Sequence, residues 1–448
     1  MDIDHPSARW LKRVAAAEGP IYRRLVSALA AAIREGELQA GDQLPPQRTV
    51  AALLDIDFTT VTRAYAAARE RGLVEGAVGR GTFVRGGPAE DEVGLVDLSM
   101  NLPPPPRGLS LASLLRETTR AILERTDVAA LMAYHPGAGS LGQRTAGAAW
   151  LAPVLGEVAP ERVLVCGGAQ TALAGLISTL LKPGDMLVVE PLTYPGLRAL
   201  AGQFGIRLEP CPVDDDGPLP EAFERLCAAG AKAIYLVPTL QNPTTTTTSA
   251  ERRHEIARIA GAADIWILED DPYSLLLDAP PPAIATLSPE RTFHVATVSK
   301  VLSPGLRTAF VVAPDVMLAE RLGETLRTLS QMPPPLMTAI TASWIREGVA
   351  AAVLGGVKQE ARARRALAAT ILPAAVGGAE SLHVWLDLPA DRDGASFRDL
   401  GRRRGLSLVT AEAFAVGGAG RNGVRISLGG PAKTATLETA LRGVAQML

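Results

Sequence analysis

The sequence predicts an α/β protein: a mostly parallel sheet followed by a small C-terminal α+β domain, and preceded by a separate helix-turn-helix module that ends in a hairpin. Three observations lead there. Short β-branched runs at 163-VLVC, 186-MLVVE, 233-AIYLV, 265-IWIL and 293-FHVATV alternate with alanine-rich helical stretches, which is the pattern of buried strands joined by helical crossovers. The stretch 86-GGPAEDEVG breaks all periodicity and sets the first segment apart as its own module. With 47% hydrophobic and 21% charged residues over 448 positions, the chain has an ordinary globular composition. At roughly 150 residues per unit, it has room for about three such units.

Charge and cysteine content narrow the function classes. The 45 basic and 47 acidic side chains give a formal charge of −2, so the chain as a whole has no electrostatic footprint for nucleic acid or an anionic membrane. Any DNA contact must be local. Residues 1–86 hold 12 Arg and Lys against 10 Asp and Glu, so even there the attraction has to come from clustering of Arg48, Arg63 and Arg80. Cys166, Cys211 and Cys227 have neither CxxC nor Cys/His spacing, which predicts a reducing compartment, no disulfide and no metal. The stretch MDIDHPSARWLKRVAAAEG lacks a signal-like apolar core, and no segment reaches the roughly 18 apolar residues of a membrane span. A cytoplasmic location without a membrane partner is expected.

Taken in order, residues 21–35 place Leu25, Leu29 and Ile33 on one face of an amphipathic helix. After the turn 41-GDQLPP come a helix in QRTVAALLD, a break at IDF and a helix of about three turns in TTVTRAYAAARERG, a helix-turn-helix. In 73-LVEGAVGRGTFV two β-like arms flank Gly79, Arg80 and Gly81 as a wing. The domain limits read as 1–86 for this module, 87–96 for a linker and 97–448 for the rest. Beyond about residue 380, 383-HVWLDL, 406-LSLV and 424-VRISL with two helices form the small α+β domain. The runs 103-PPPP and 244-TTTTT read as constrained loops.

Lys300 stands out among only six lysines. It follows the strand-like FHVATV and precedes SPGLR, so it sits at a strand end in a Gly/Pro loop, where α/β sheets present functional groups. Alone it reads equally as a turn-capping lysine. Asp270 and Asp271 read alone as an acidic strand end, Asn242-Pro243 as a turn dipeptide, and Arg425 as a paired strand charge.

The string LPPQRTVAALLDIDFTTVTRAYAAARERGLVEGAVGRGTFV resembles the winged helix of the GntR family of bacterial transcription regulators over its whole length. The resemblance implies a double-stranded DNA operator, contacted by Arg48, Thr59, Thr60, Thr62 and Arg80, with Arg63 near the groove. Threonine hydroxyls and helix N-terminal N–H groups suit phosphate oxygens, and arginine also reads guanine. Many members carry Arg or Ser-Arg just before the TTV, where this chain has Asp57 and Phe58.

From residue 97 on, TVSKVLSPGLR resembles the cofactor-lysine motif of the class I, fold type I aminotransferases, which bind pyridoxal 5′-phosphate. Other landmarks keep the family order: Tyr134 in YHPGAGSLGQR; Gly168, Ala169 and Gln170 in VCGGAQTAL; Tyr194 in VEPLTYPG; Asn242 in PTLQNPT; Asp270 and Tyr273 in LEDDPY; Arg425 in GVRISL. The resemblance implies that Lys300 is the Schiff-base residue and proton shuttle. Asp270 would pair with the ring nitrogen, Tyr273 and Asn242 with the phenolic oxygen, and Tyr194 would stack on the ring. The phosphate would take the N–H groups of Ala169 and Gln170 at a helix N-terminus, next to Gly168 in the same cofactor-binding loop, the hydroxyls of Thr297 and Ser299, and the charge of Arg307. Tyr134 would reach it from the second subunit of a homodimer, and Arg425 would clamp an amino-acid carboxylate. Two positions depart from the family: Ala169 replaces a serine, and Thr245 a glycine.

A winged helix followed by an aminotransferase-like domain is the layout of the MocR subfamily of GntR regulators. The expected function is transcription control by the cofactor and an amino-compound effector. A working aminotransferase with an appended DNA-binding module, and a regulator that senses the cofactor alone, stay open.

Overall fold

The computed structural model describes residues 8–16, 19–35, 37–39, 41–77, 81–84, 95–135, 138–389, 391–418 and 421–448. They fall into two units, Met1–Val93 and Gly94–Leu448. In the first, helix α1 (Ile21–Arg34) buries Leu25 and Leu29, with Ile33 half-buried against the same core. Pro46 leads into α2 (Gln47–Leu54), which ends where Asp55 turns into left-handed backbone at φ 50°. Asp57 then caps α3 (Phe58–Glu70), its carboxylate accepting the Thr59 N–H at 2.7 Å. The second helix of the pair thus starts at Phe58, inside the stretch that reads as a break. Strands β1 (Val74–Ala77) and β2 (Gly81–Val84) pair antiparallel as the wing, whose tip with Arg80 lies outside the described residues. A short 3-10 helix, Arg9–Ala16, adds Trp10 and Leu11 to a core shared with Val50, Val61 and Tyr65.

In the second unit the strands run β3 (Val96–Asp97), β4 (Val163–Cys166), β5 (Met186–Val189), β6 (Arg207–Pro210), β7 (Val213–Asp214), β8 (Gly217–Pro218), β9 (Ala231–Leu236), β10 (Trp266–Asp270), β11 (Thr292–Thr297), β12 (Ala309–Val312), β13 (His383–Asp387), β14 (Leu406–Ser407), β15 (Val409–Thr410) and β16 (Gly423–Ser427). The seven-stranded sheet has the order β4-β12-β11-β10-β9-β5-β6. All its pairs are parallel except the two that β12 makes, which are antiparallel. Both faces are covered, which explains the uninterrupted apolar runs: Leu187, Tyr235 and Leu268 enter one core, while Val188, Ile234 and Ile267 enter the other.

The small domain is built on an antiparallel sheet, β13-β16-β15, packed with helices Val349–Ile371 and Thr434–Ala445. It begins earlier in the chain than the C-terminal run of strands implies. Strand β3 pairs parallel with β14, and Leu98 is fully buried in the small-domain core beside Val424 and Ile426. The segment after the linker is therefore part of the small domain. Among the described residues no helix is long and apolar enough to cross a membrane.

Candidate functional site

Four loops at the C-terminal ends of strands β4, β9, β10 and β11 build the site. β10 ends on Asp270 and β11 on Thr297, with Lys300 three residues on. β4 leads through Gly167 and Gly168 into helix Ala169–Leu180, and β9 leads into the loop carrying Asn242. This is the edge at which open α/β sheets bind ligands.

Lys300 is held by burial. Its Nζ donates to the Asn101 carbonyl at 2.5 Å, and burial, reinforced by the nearby Arg425 charge, pushes its ammonium down to about 8. Asp270 is buried too: Oδ2 accepts from the Tyr235 hydroxyl at 2.7 Å, whereas Oδ1 has no partner among the described residues. Burial without full pairing pushes this carboxyl up to about 6, so it calls for a cationic donor beside Oδ1. Tyr273 is fully buried and accepts from Asn101 Nδ2 at 2.8 Å.

A cluster of hydrogen-bond donors lies at the start of helix Ala169–Leu180. Gly168 has φ 106°, and a Cβ there would stand 2.5 Å from Arg307 Nη2, so only glycine leaves the guanidinium its place. Arg307 Nη2 donates to the Gly167 carbonyl at 2.9 Å, and Thr297 Oγ1 lies 2.9 Å from Ser299 Oγ. Ala169 and Gln170 are the first two residues of the helix, so their N–H groups have no intrahelical acceptor. Gln170 Nε2 donates to the Gly196 carbonyl at 3.0 Å, which ties the cluster to the loop of Tyr194. A Cβ at Gly196 would run into the Tyr194 ring, so glycine there lets the ring lie over the helix start.

Arg425, on β16, is buried and joins the two domains of this unit. Its Nη1 donates to Asn242 Oδ1 at 2.7 Å, its Nη2 to the Ser99 carbonyl, its Nε has no partner among the described residues, and its guanidinium lies 5.1 Å from the Phe414 ring centre. The threonine run folds back on this loop: Gln241 N donates to Thr246 O at 2.8 Å, and Thr245 takes φ 66°, the left-handed backbone that glycine adopts without strain. Tyr134 stands apart, 83% exposed.

Pattern reading missed three contributors. Asn101 supplies both the Lys300 and the Tyr273 contact, and Tyr235 holds Asp270. His383 is buried on β13, pushed down to about 3 by burial, and so neutral. Its Nδ1 lies 3.1 Å from Asn101 Nδ2 and its Nε2 3.3 Å from Gln241 O, contacts that a ring protonated on Nε2 satisfies. The one usable signal was Tyr235, a hydroxyl in the apolar run 233-AIYLV.

In the first unit, Arg48 is exposed on the first turn of α2, and Thr59, Thr62 and Arg63 are exposed on α3, with Thr60 half-buried. Two of these hydroxyls are engaged at home: Thr59 Oγ1 donates to Asp57, and Thr62 Oγ1 to Gln47 Oε1 at 2.8 Å. The Arg63 guanidinium stacks 4.2 Å from the Tyr22 ring centre.

Residues 21–84 match the gntR family of bacterial regulatory proteins, and residues 94–443 match the aminotransferase class I and II family. The HTH-type transcriptional regulator YdeF of Bacillus subtilis (strain 168) is 30% identical over 98% of this chain and 96% of its own. The probable rhizopine catabolism regulatory protein MocR of Rhizobium meliloti is 30% identical over 74% of this chain and 73% of its own. Among solved structures, the kynurenine aminotransferase of Pyrococcus horikoshii, in complex with PMP, superposes with TM-score 0.72 at 21% identity over 79% of this chain and 90% of its own. Full-length similarity to a helix-turn-helix regulator, together with matches to both families in one chain, places this protein in the MocR-type subfamily of GntR transcription regulators.

Proposed function

We propose that the large domain binds pyridoxal 5′-phosphate at Lys300 and senses an amino compound there, and that the winged helices of a homodimer bind a double-stranded operator. The observation that carries this reading is the gathering at the strand ends of one sheet of a lysine with a lowered pKa, a buried carboxylate oxygen without a partner among the described residues and an arginine-lined helix start, in a chain that also carries a helix-turn-helix. When bound, the cofactor supplies an aldehyde that condenses with amines and a ring that accepts electron density.

The chain's own groups prepare for it. A Lys300 amine that deprotonates at about 8 is nucleophilic near neutral pH, and the amine moves protons once an effector is present. Asp270 offers Oδ1 to a ring N–H while Tyr235 holds Oδ2. Tyr273 and Asn242 serve the phenolic oxygen, Tyr194 covers the ring, and Gly168, Ala169, Gln170, Thr297, Ser299 and Arg307 hold the phosphate. Arg425 exchanges the Ser99 carbonyl for an effector carboxylate, a stronger, bidentate acceptor. Tyr134 completes the partner subunit's phosphate site. Leu109, Leu123, Val128, Met132 and Leu141, large apolar side chains that are all exposed in the single chain, favour burial against a second copy.

Borohydride reduction of the loaded protein, followed by peptide mapping, is expected to place the pyridoxyl group on Lys300, and Lys300→Ala to lose the visible absorbance. A label on Lys182 or Lys232 contradicts the assignment. Turnover as an aminotransferase is the second reading, favoured by the same lowered lysine pKa, and a keto-acid product in stoichiometric excess over protein would identify it.

A further inference from the structure

We propose that Phe58 reads the C5-methyl group of a thymine in each operator half-site, a specificity contact that rests on α3 being the DNA-reading helix. Phe58 is the first residue of α3 and is 45% exposed. The apolar side chains packed against the module's core include Tyr22, Leu54, Ile56 and Ala67, and Phe58 is not among them. Along α3 the buried residues are Val61, Ala64, Tyr65 and Ala68. At 100° per residue Phe58 falls beside the exposed Thr62 and Arg69, at the margin of the outward face. Its ring thus leaves apolar surface in water at the end of the helix that a helix-turn-helix presents to base edges.

The electrostatics of that end decide what the ring meets. The N-terminus of a helix ordinarily attracts phosphate. Here Asp57 already occupies the Thr59 N–H at 2.7 Å and receives the Thr59 hydroxyl, and these two hydrogen bonds hold its carboxyl below the usual carboxylate range, so it stays charged. A phosphate placed there is repelled by that charge and finds those donors taken. The end of α3 is therefore suited to the floor of the major groove and not to the backbone. On that floor the thymine methyl is the apolar feature that distinguishes one base from another, and an aromatic ring is a suitable partner for it. Thr62, one turn on, is tied to Gln47 at 2.8 Å, which fixes α3 against α2.

The test starts from duplexes selected out of random DNA by the full-length protein, in which each thymine in turn is replaced by deoxyuridine, removing one methyl group and nothing else. Binding is measured at one fixed salt concentration for the wild type, Phe58→Ala and Phe58→Leu. At one position per half-site, deoxyuridine is expected to weaken wild-type binding roughly fourfold, the equivalent of about 0.8 kcal/mol for one buried carbon. Phe58→Ala binds more weakly and is indifferent to the replacement there, while Phe58→Leu keeps part of the response. Since Phe58 lies outside the core, a circular dichroism spectrum unchanged in Phe58→Ala verifies the comparison. A wild type indifferent to deoxyuridine at every position, or a Phe58→Ala variant with the full wild-type response, overturns the inference and leaves the regulator reading standing. A protein that enriches no sequence overturns both.

Discussion

Asp270 shows how one hydroxyl can prepare a cofactor site. Tyr235 satisfies one carboxylate oxygen and leaves the other without a partner among the described residues, the oxygen that the proposed function assigns to the ring nitrogen. Tyr235→Phe removes a donor to a charged acceptor, typically about 1.5–3 kcal/mol, and should weaken pyridoxal phosphate binding by roughly tenfold or more in an absorbance titration. Unchanged affinity would mean that Asp270 does not depend on Tyr235. Glu190, just beyond β5, makes a separate pH prediction. Burial pushes its carboxyl up to about 8, against which the Gln241 side chain and the Val237 N–H work in the opposite direction. The folded state thus binds this proton more tightly than the unfolded state does. Its contribution to stability is complete below about 4.5 and is lost as pH rises through about 8. Between pH 6 and 9 the wild type should lose more stability than Glu190→Gln, by on the order of a few kcal/mol, read as the difference in the fall of Tm. Equal pH slopes would show that Glu190 ionises freely in the fold.

The threonine run is the element whose conformation runs most against its residue type. Thr245 sits at φ 66°, where a β-branched residue is strained, so Thr245→Gly should raise the unfolding free energy by about 1 kcal/mol in a denaturant titration. A loss of stability would show that the Thr245 hydroxyl bond to Thr244 O outweighs the strain. On α2, Arg48→Ala should weaken operator binding and lower the slope of log affinity against log salt by about 1, the signature of one lost phosphate contact. Elements with a strong local period were legible in the sequence: α1 from Leu25 and Leu29, and β9, β10 and β11 from their apolar runs. β12 was not, because AFVV is four residues long and nothing in it encodes insertion between β4 and β11 in the opposite direction. Nor was the pairing of β3 with β14, a contact between residues some 310 positions apart. The site divides the same way. Lys300 and Asp270 announce themselves at strand ends, whereas Asn101 acts through a backbone carbonyl and an amide that only the folded chain brings to Lys300 and Tyr273.

At the scale of the whole molecule, the proposed function requires that a ligand at Lys300 influence the DNA-binding module. The roughly 11 residues from Gly86 to Val96 span at most about 40 Å when fully extended, close to the 34 Å spacing of half-sites one helical turn apart. Immediately after them, the Ser99 carbonyl holds Arg425 and the Asn101 carbonyl holds Lys300. A ligand that takes over both cations therefore disturbs the chain within a few residues of the linker, and it shifts operator affinity by as much as it prefers one arrangement over the other. The most direct test follows cofactor absorbance and operator affinity together while candidate amino acids and amines are added to the loaded protein. The account predicts that the compound that changes the absorbance also changes operator affinity, that Arg425→Ala weakens both responses for a carboxylate-bearing effector, and that Lys300→Ala abolishes both. A compound that changes the absorbance and is turned over to a keto acid while operator affinity stays constant would contradict it.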